Sequence, residues 1–197
     1  MYTLLLDSAT KVLYVALVKD ENVIYEKYLE GKNDHAKAIV RLVDEALNVG
    51  GIDTFTLDRI IVGVGPGSYT GVRMAVSVAK MMSVFAKVKL YSISTLELIA
   101  SGYSGRVLST IDARRGNAFA AIINVENGSF DLEEGLHEYT MLEQEKVDYK
   151  VNETNYKVNP IYCINNAQEV DEPHLLVPNY LRDTEAERNL KWLENSI

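Results

Sequence analysis

Ile60-Ile-Val-Gly-Val-Gly-Pro-Gly-Ser-Tyr-Thr-Gly-Val-Arg-Met-Ala-Val-Ser-Val-Ala-Lys-Met-Met-Ser-Val-Phe85 decides the fold of this 197-residue chain. Ile60, Ile61, Val62 and Val64 form a short β-branched run, the pattern of a strand covered on both faces. Gly65-Pro66-Gly67 ends it, because glycine tolerates positive φ and proline fixes its own. Ser68 and Thr70 are candidate N-caps, and a helix is expected from about Gly71 into Lys87. At 100° per residue, Met74, Val78, Met81 and Phe85 join Val72, Ala75, Val76, Ala79 and Met82 in an apolar arc of roughly 220°, twice what one buried face requires. Either the helix is sandwiched within its own domain, or one side lies on a sheet and the methionine-rich side is offered to a partner.

A glycine turn feeding a helix leaves free N–H groups and a partial positive charge at one spot, which can hold an anion. Five residues separate Gly65 from Gly71 and Val72 stands where a lysine is needed, so this is no Walker P-loop. Pro66 and Thr70 replace the glycines of a nucleophile elbow around Ser68. A tight structural turn and an anion site both fit. Asp7, Thr10, Gly67, Ser68, Thr70 and Arg73 are the candidate anion-site residues, with Arg73 closing over the anion or pairing with Asp7.

Gly65-Pro66-Gly67-Ser68-Tyr69-Thr70-Gly71-Val72-Arg73 resembles the signature of the TsaB (YeaZ) family. Further matches are Leu4-Leu5-Leu6-Asp7-Ser8-Ala9-Thr10, His35 at the first helix, Asp112-Ala113-Arg114-Arg115 and Pro178-Asn179-Tyr180-Leu181-Arg182. The resemblance implies an α/β protein of the actin-like ATPase (ribonuclease H-like) fold, with duplicated βββαβαβα lobes. It also implies a role in making threonylcarbamoyladenosine in tRNA, as a non-catalytic partner of TsaD, with TsaE supplying an ATPase.

Around this centre, Tyr2–Asp7, Val12–Lys19 and Val23–Leu29 read as three strands, with a hairpin turn at Asp20-Glu21-Asn22. The first turn, Asp7-Ser8-Ala9-Thr10, is the one that lies near phosphate or its metal in phosphate-handling members of the superfamily; a plain polar turn is the alternative. Residues 33–49 read as an amphipathic helix capped by Asn33 or Asp34 and ended by Gly50-Gly51. Its apolar face is Ala36, Ile39, Val40, Leu42, Val43, Ala46 and Leu47. His35 projects on that side. TsaD proteins bind a metal through a His-x-x-x-His pair; here the second position is Ile39, and His137 and His174 have no ligand spacing, so no metal site is expected. Val88–Ile93 reads as a strand. Ser94 and Glu97 read as a capping box opening a helix to Ala100.

Gly102–Gly105 is the expected boundary between an N-terminal lobe, residues 1–102, and a C-terminal lobe, residues 103–197. Beyond it the pattern restarts at an offset of 105: Val107–Asp112 matches Tyr2–Asp7, and Phe119–Ile123 matches Tyr14–Val18. The repeat fades after Phe130, where a weak helix (Met141–Lys146), a strand (Ile161–Ile164) and a closing helix (Thr184–Leu193) are expected. The second lobe is read as reduced. That argues against a complete nucleotide cleft, and no nucleophile–base–orienter set of a peptidase is visible.

Composition sets the remaining limits. Residues 1–102 carry 11 acidic and 11 basic side chains; residues 103–197 carry 17 and 9, so the net charge of −8 lies wholly in the second half. An acidic half without a basic stripe argues against binding tRNA except through a complex. One cysteine excludes an internal disulfide. The chain begins without the features of a signal peptide and has no run of about 20 apolar residues, so a cytoplasmic protein is expected. His35, Ile39, Leu42, Met74, Val78, Met81 and Phe85 are the candidate interface toward TsaD, and the same helices are candidates for homodimer formation. No tightly bound cofactor is expected, and ATP or ADP only at the partner interface. The alternative function is a small-molecule phosphotransferase or hydrolase of the same fold, working through Asp7, Thr10, Ser68 and Asp112.

Overall fold

The computed structural model describes residues 1–31 and 35–181, with the backbone alone at His35 and Ala36. The expected caps Asn33 and Asp34, the His35 side chain, Arg182 and the closing helix at 184–193 lie outside the described residues. In chain order the elements are β1 (Tyr2–Asp7), β2 (Val12–Lys19), β3 (Asn22–Glu30), α1 (His35–Gly50), β4 (Arg59–Gly63), α2 (Tyr69–Ala86), β5 (Lys89–Ile93) and α3 (Thr95–Ala100). Then follow β6 (Arg106–Arg114), β7 (Asn117–Asn124), β8 (Ser129–Glu138), α4 (Tyr139–Leu142), β9 (Tyr149–Val151), α5 (Pro160–Asn166) and β10 (Gln168–Glu169).

The first sheet has the order β10-β5-β4-β1-β2-β3. β1, β2 and β3 form an antiparallel meander, while β4 and β5 run parallel to β1. The second sheet, β8-β7-β6-β9, repeats that plan: an antiparallel meander with β9 parallel to β6. This is the actin-like, ribonuclease H-like unit present twice, as expected. The second copy is reduced in its helix: the four residues of α4 stand where α1 has 16.

Side chains alternate across both sheets, as the period of two requires. Leu4, Leu6, Leu13, Val15, Leu17, Ile60 and Val62 pack under α1 and α2. Leu5, Tyr14, Ala16, Val18 and Ile61 point the other way and meet Val107, Ile111, Ala121 and Ile123 of the second sheet. α3 lies in that middle layer, with every residue from Thr95 to Ala100 buried. Leu108, Ala118, Ala120 and Ile122 form a smaller cluster with Leu142 on the far side of the second sheet.

Several expectations are corrected. The repeat does not fade at Phe130, because β8 and β9 continue it. The 105-residue offset holds for the strands but not for their pairing: Leu5 faces Ala16, whereas Thr110 faces Ala120. Ile161–Ile164 is helical. Asn159 caps α5 by accepting from Ile161 N and Tyr162 N, at 3.1 and 3.2 Å, and Pro160 supplies a preset first-turn φ. The helix expected at Met141–Lys146 is α4 instead, anchored by Tyr139 N donating to Gly116 O at 3.0 Å. Ser94 caps α3 by accepting from Leu96 N at 3.1 Å, but Glu97 does not close a capping box; its carboxylate accepts from Tyr162 Oη at 3.0 Å. Val40 was placed on the buried face of α1 and is 56% exposed.

Candidate functional site

The glycine turn between β4 and α2 is held against the β1–β2 turn. Ser68 N donates to Ala9 O at 2.6 Å, and Ser8 Oγ donates to Gly71 O at 2.7 Å. Gly67 has φ +154°, and a Cβ there would overlap the Ala9 carbonyl; a Cβ at Gly71 would overlap the Ser8 carbonyl. These glycines allow backbone to lie on backbone. Ser68 caps α2 by accepting from Gly71 N at 3.3 Å. Two of the amides that an anion would use, Ser68 N and Gly71 N, are therefore taken by the protein.

Asp7 lies behind this turn, fully buried. Thr95 Oγ1 donates to its Oδ2 at 2.6 Å, Ala9 N donates to its Oδ1 at 3.0 Å, and Thr95 Oγ1 in turn accepts from Gly65 N at 3.1 Å. Burial raises the Asp7 carboxyl above the usual range, while the Thr95 hydroxyl and the Ala9 amide pull it down. Thr10 is also buried and closes its own turn, accepting from Val12 N at 3.1 Å.

Arg73 is not paired with Asp7. It is exposed, donates from Nε to Tyr180 Oη at 2.8 Å and stacks on Tyr69 with its guanidinium 4.1 Å from the ring centre. Thr70 is exposed on the same turn. The candidate anion residues thus divide into a buried group, Asp7 and Thr10, and a surface group, Ser68, Thr70 and Arg73, with Gly67 between them.

The candidate interface residues also divide. Ile39 and Leu42 are buried beneath α1 and belong to the core. On α2, Met74 and Val78 are half-buried, while Met81 and Phe85 are 63% and 70% exposed. These four lie at i, i+4, i+7 and i+11, one stripe of the helix. Phe55 extends it: its ring centre is 5.4 Å from that of Phe85, and it is 63% exposed. The opposite flank of α2 is strapped by the chain near its end, where Lys80 Nζ donates to His174 O and Leu176 O.

A cleft of about 310 Å³ opens beyond the carboxyl ends of β4 and β5, at Val64 and Ser94, where parallel strands commonly place a ligand. Its far wall is β8. Glu97, Glu133 and Glu134 line it, with Asn166 and Asn179, and no lysine or arginine is among its lining residues.

A family model described as TsaD: tRNA N6-adenosine threonylcarbamoyltransferase matches residues 29–136, more than half of the chain. The tRNA threonylcarbamoyladenosine biosynthesis protein TsaB of Bacillus subtilis is 27% identical, with 99% of each chain covered. TsaB of Escherichia coli is 33% identical over 68% of this chain and 60% of its own length. The chain belongs to the TsaB (YeaZ) family. YeaZ from Pseudomonas aeruginosa shares the fold, with a TM-score of 0.77 at 20% identity over 91% of this chain and 99% of that one.

Within this TsaB-family chain, the signature Gly65–Arg73 is built largely for packing, with its exposed side chains gathered at the start of α2. Sequence reading missed the cleft carboxyls. Their one local signal was the alternation Phe130-x-Leu132-x-Glu134-x-Leu136, which marks a half-buried strand with Glu134 turned inward. Phe55 was missed because it sits on a short 3-10 turn, Thr54–Thr56, with no periodicity to expose it.

Proposed function

We propose that this chain is the scaffold or activator subunit of a tRNA threonylcarbamoylation complex. It pairs with a TsaD-type transferase that modifies the adenosine next to the anticodon, and a TsaE-type ATPase joins them. Membership of the TsaB family supports the pathway. The observation that carries the subunit role is the exposed stripe Met74–Val78–Met81–Phe85 with Phe55, an apolar surface on a helix otherwise well packed. A specific interface buries on the order of 1,200–2,000 Å² in all, which α2 and its neighbours on each side can supply. In isolation the same stripe serves for self-association.

The acidic cleft supports a non-catalytic role. Nucleoside phosphates are anions, and three glutamates with no lining cation repel them. Nucleotide, where the complex uses it, enters at the partner interface.

The test is size-exclusion chromatography with light scattering on this protein mixed with the TsaD-family protein of the same cell. A one-to-one complex, with transfer to tRNA only when both proteins are present, supports the reading. Separate elution with nucleotide and the ATPase added overturns it. Met74→Glu with Met81→Glu locates the surface: unchanged partner affinity would show that it lies elsewhere.

A further inference from the structure

We infer that Glu97 and Glu134 form a proton-operated latch, which ties the second sheet and the terminal strap to the glycine turn when protonated and loosens them when both carboxyls ionise. Glu97 comes from α3 in the middle layer and is only 9% exposed. Glu134 comes from β8. Both line the same cleft.

The partners of this pair reach every layer. Tyr162 of α5 donates to Glu97 Oε1 at 3.0 Å. Asn179 Nδ2 donates to Glu134 Oε2 at 3.0 Å, while Asn179 N donates to Val64 O at 2.7 Å, just before the glycine turn. The next residue, Tyr180, holds Arg73. Glu134 is thus joined through one asparagine to the start of the signature turn.

Two features make the pair proton-dependent. Glu134 Oε1 is buried and has no hydrogen-bond partner among the described residues. A buried carboxylate oxygen without a donor is costly, and a proton on the carboxyl relieves it. The two carboxyls also repel each other, and Glu133 of β8 adds to the charge on Glu134. Burial first, and Glu134 second, push Glu97 up to about 7, against the opposing pull of the Tyr162 hydroxyl. Burial likewise raises Glu134, against Ser94 and Asn179. The other titratable groups facing Glu97 are Tyr162 and Cys163 of α5, both held neutral by burial. No lysine or arginine lines the cleft to offset the second charge.

The sign follows from linkage. The folded pKa lies above the unfolded one, so the protonated, latched form is favoured at low pH. That advantage is lost as pH rises from the unfolded carboxylate range to about 7, and is level beyond. The test is amide hydrogen exchange of Asn179 and Tyr180 in the full chain, corrected for intrinsic rates. Protection should fall by up to about tenfold per pH unit below the Glu97 midpoint, then flatten. Glu97→Gln should remove the slope. Protection independent of pH, or a slope unchanged in Glu97→Gln, overturns the latch. Carbon-13 titration of the glutamate carboxyls in the unaltered protein is independent of any variant's folding. A Glu97 midpoint near its ordinary value overturns the latch as well.

Discussion

Thr95 Oγ1 stands 2.6 Å from Asp7 Oδ2 and donates to it, across 88 residues of chain. The same oxygen accepts from Gly65 N at 3.1 Å. One hydroxyl therefore joins the end of β1, the glycine turn and the start of α3. The acidic residue that sequence placed beside a phosphate is committed instead to holding these elements together.

Replacing that hydroxyl gives a pH-dependent loss. Thr95→Val removes the donor to a buried carboxylate and should cost about 1–3 kcal/mol near neutral pH. Asp7 is raised above its unfolded value, so its neutral form is the one favoured by folding, and stability declines as pH rises through the folded pKa. The variant raises that pKa further. Its deficit should be larger at about pH 7 than at about pH 4, where Asp7 begins to be neutral in both states. Urea unfolding at the two pH values checks this, and an equal deficit at both would mean that Asp7 charge is not what Thr95 stabilises.

The contact between the two turns is a second point of failure. Gly71→Ala drives a Cβ into the Ser8 carbonyl, a rigid backbone atom. The α2 N-terminus must move, at a cost of about 1–3 kcal/mol or more. Thermal unfolding measures this, and a variant as stable as the parent would show that the turns can part freely.

The outer stripe of α2 should behave in the opposite way. Met81 and Phe85 are mostly exposed, so Met81→Glu with Phe85→Glu should change stability by no more than about 0.5 kcal/mol per site. Affinity for the TsaD-type partner should drop more than about tenfold, a loss of at least about 1.4 kcal/mol. Calorimetric titration of folded variant against partner separates the two effects.

α5 depends on its cap. Asn159 Oδ1 accepts from two first-turn amides, so Asn159→Ala should destabilise the protein by about 1 kcal/mol. Cys163 is fully buried one turn further on, and its reactivity toward a thiol reagent should rise in the variant. Unchanged thiol reactivity and stability would show that packing alone holds this helix.

Much of the first lobe was legible in the sequence, since its signals are local. Val12–Lys19 alternates between two buried faces, Ser68 is read as an N-cap from the residues beside it, and Gly50-Gly51 ends a helix by backbone freedom alone. The second lobe was harder. β8 has polar residues on its exposed face and a glutamate on its inner one. β9 is three residues long, and Ile161–Ile164 is an apolar run too short for periodicity to separate strand from helix. The Asn159-Pro160 pair carried the answer there, as a cap followed by a preset φ.

The sequence by itself determined the strand–glycine turn–helix, the meander before it, the internal repeat and the family, because each is written in residues close together or in a recurring pattern. Only the tertiary structure decided that Asp7 meets Thr95 rather than Arg73, that Glu97 and Glu134 share a cleft, and that Phe55 completes the stripe on α2. Those pairings join positions tens of residues apart, and their register and crossing geometry arise from packing the two sheets around a common middle layer.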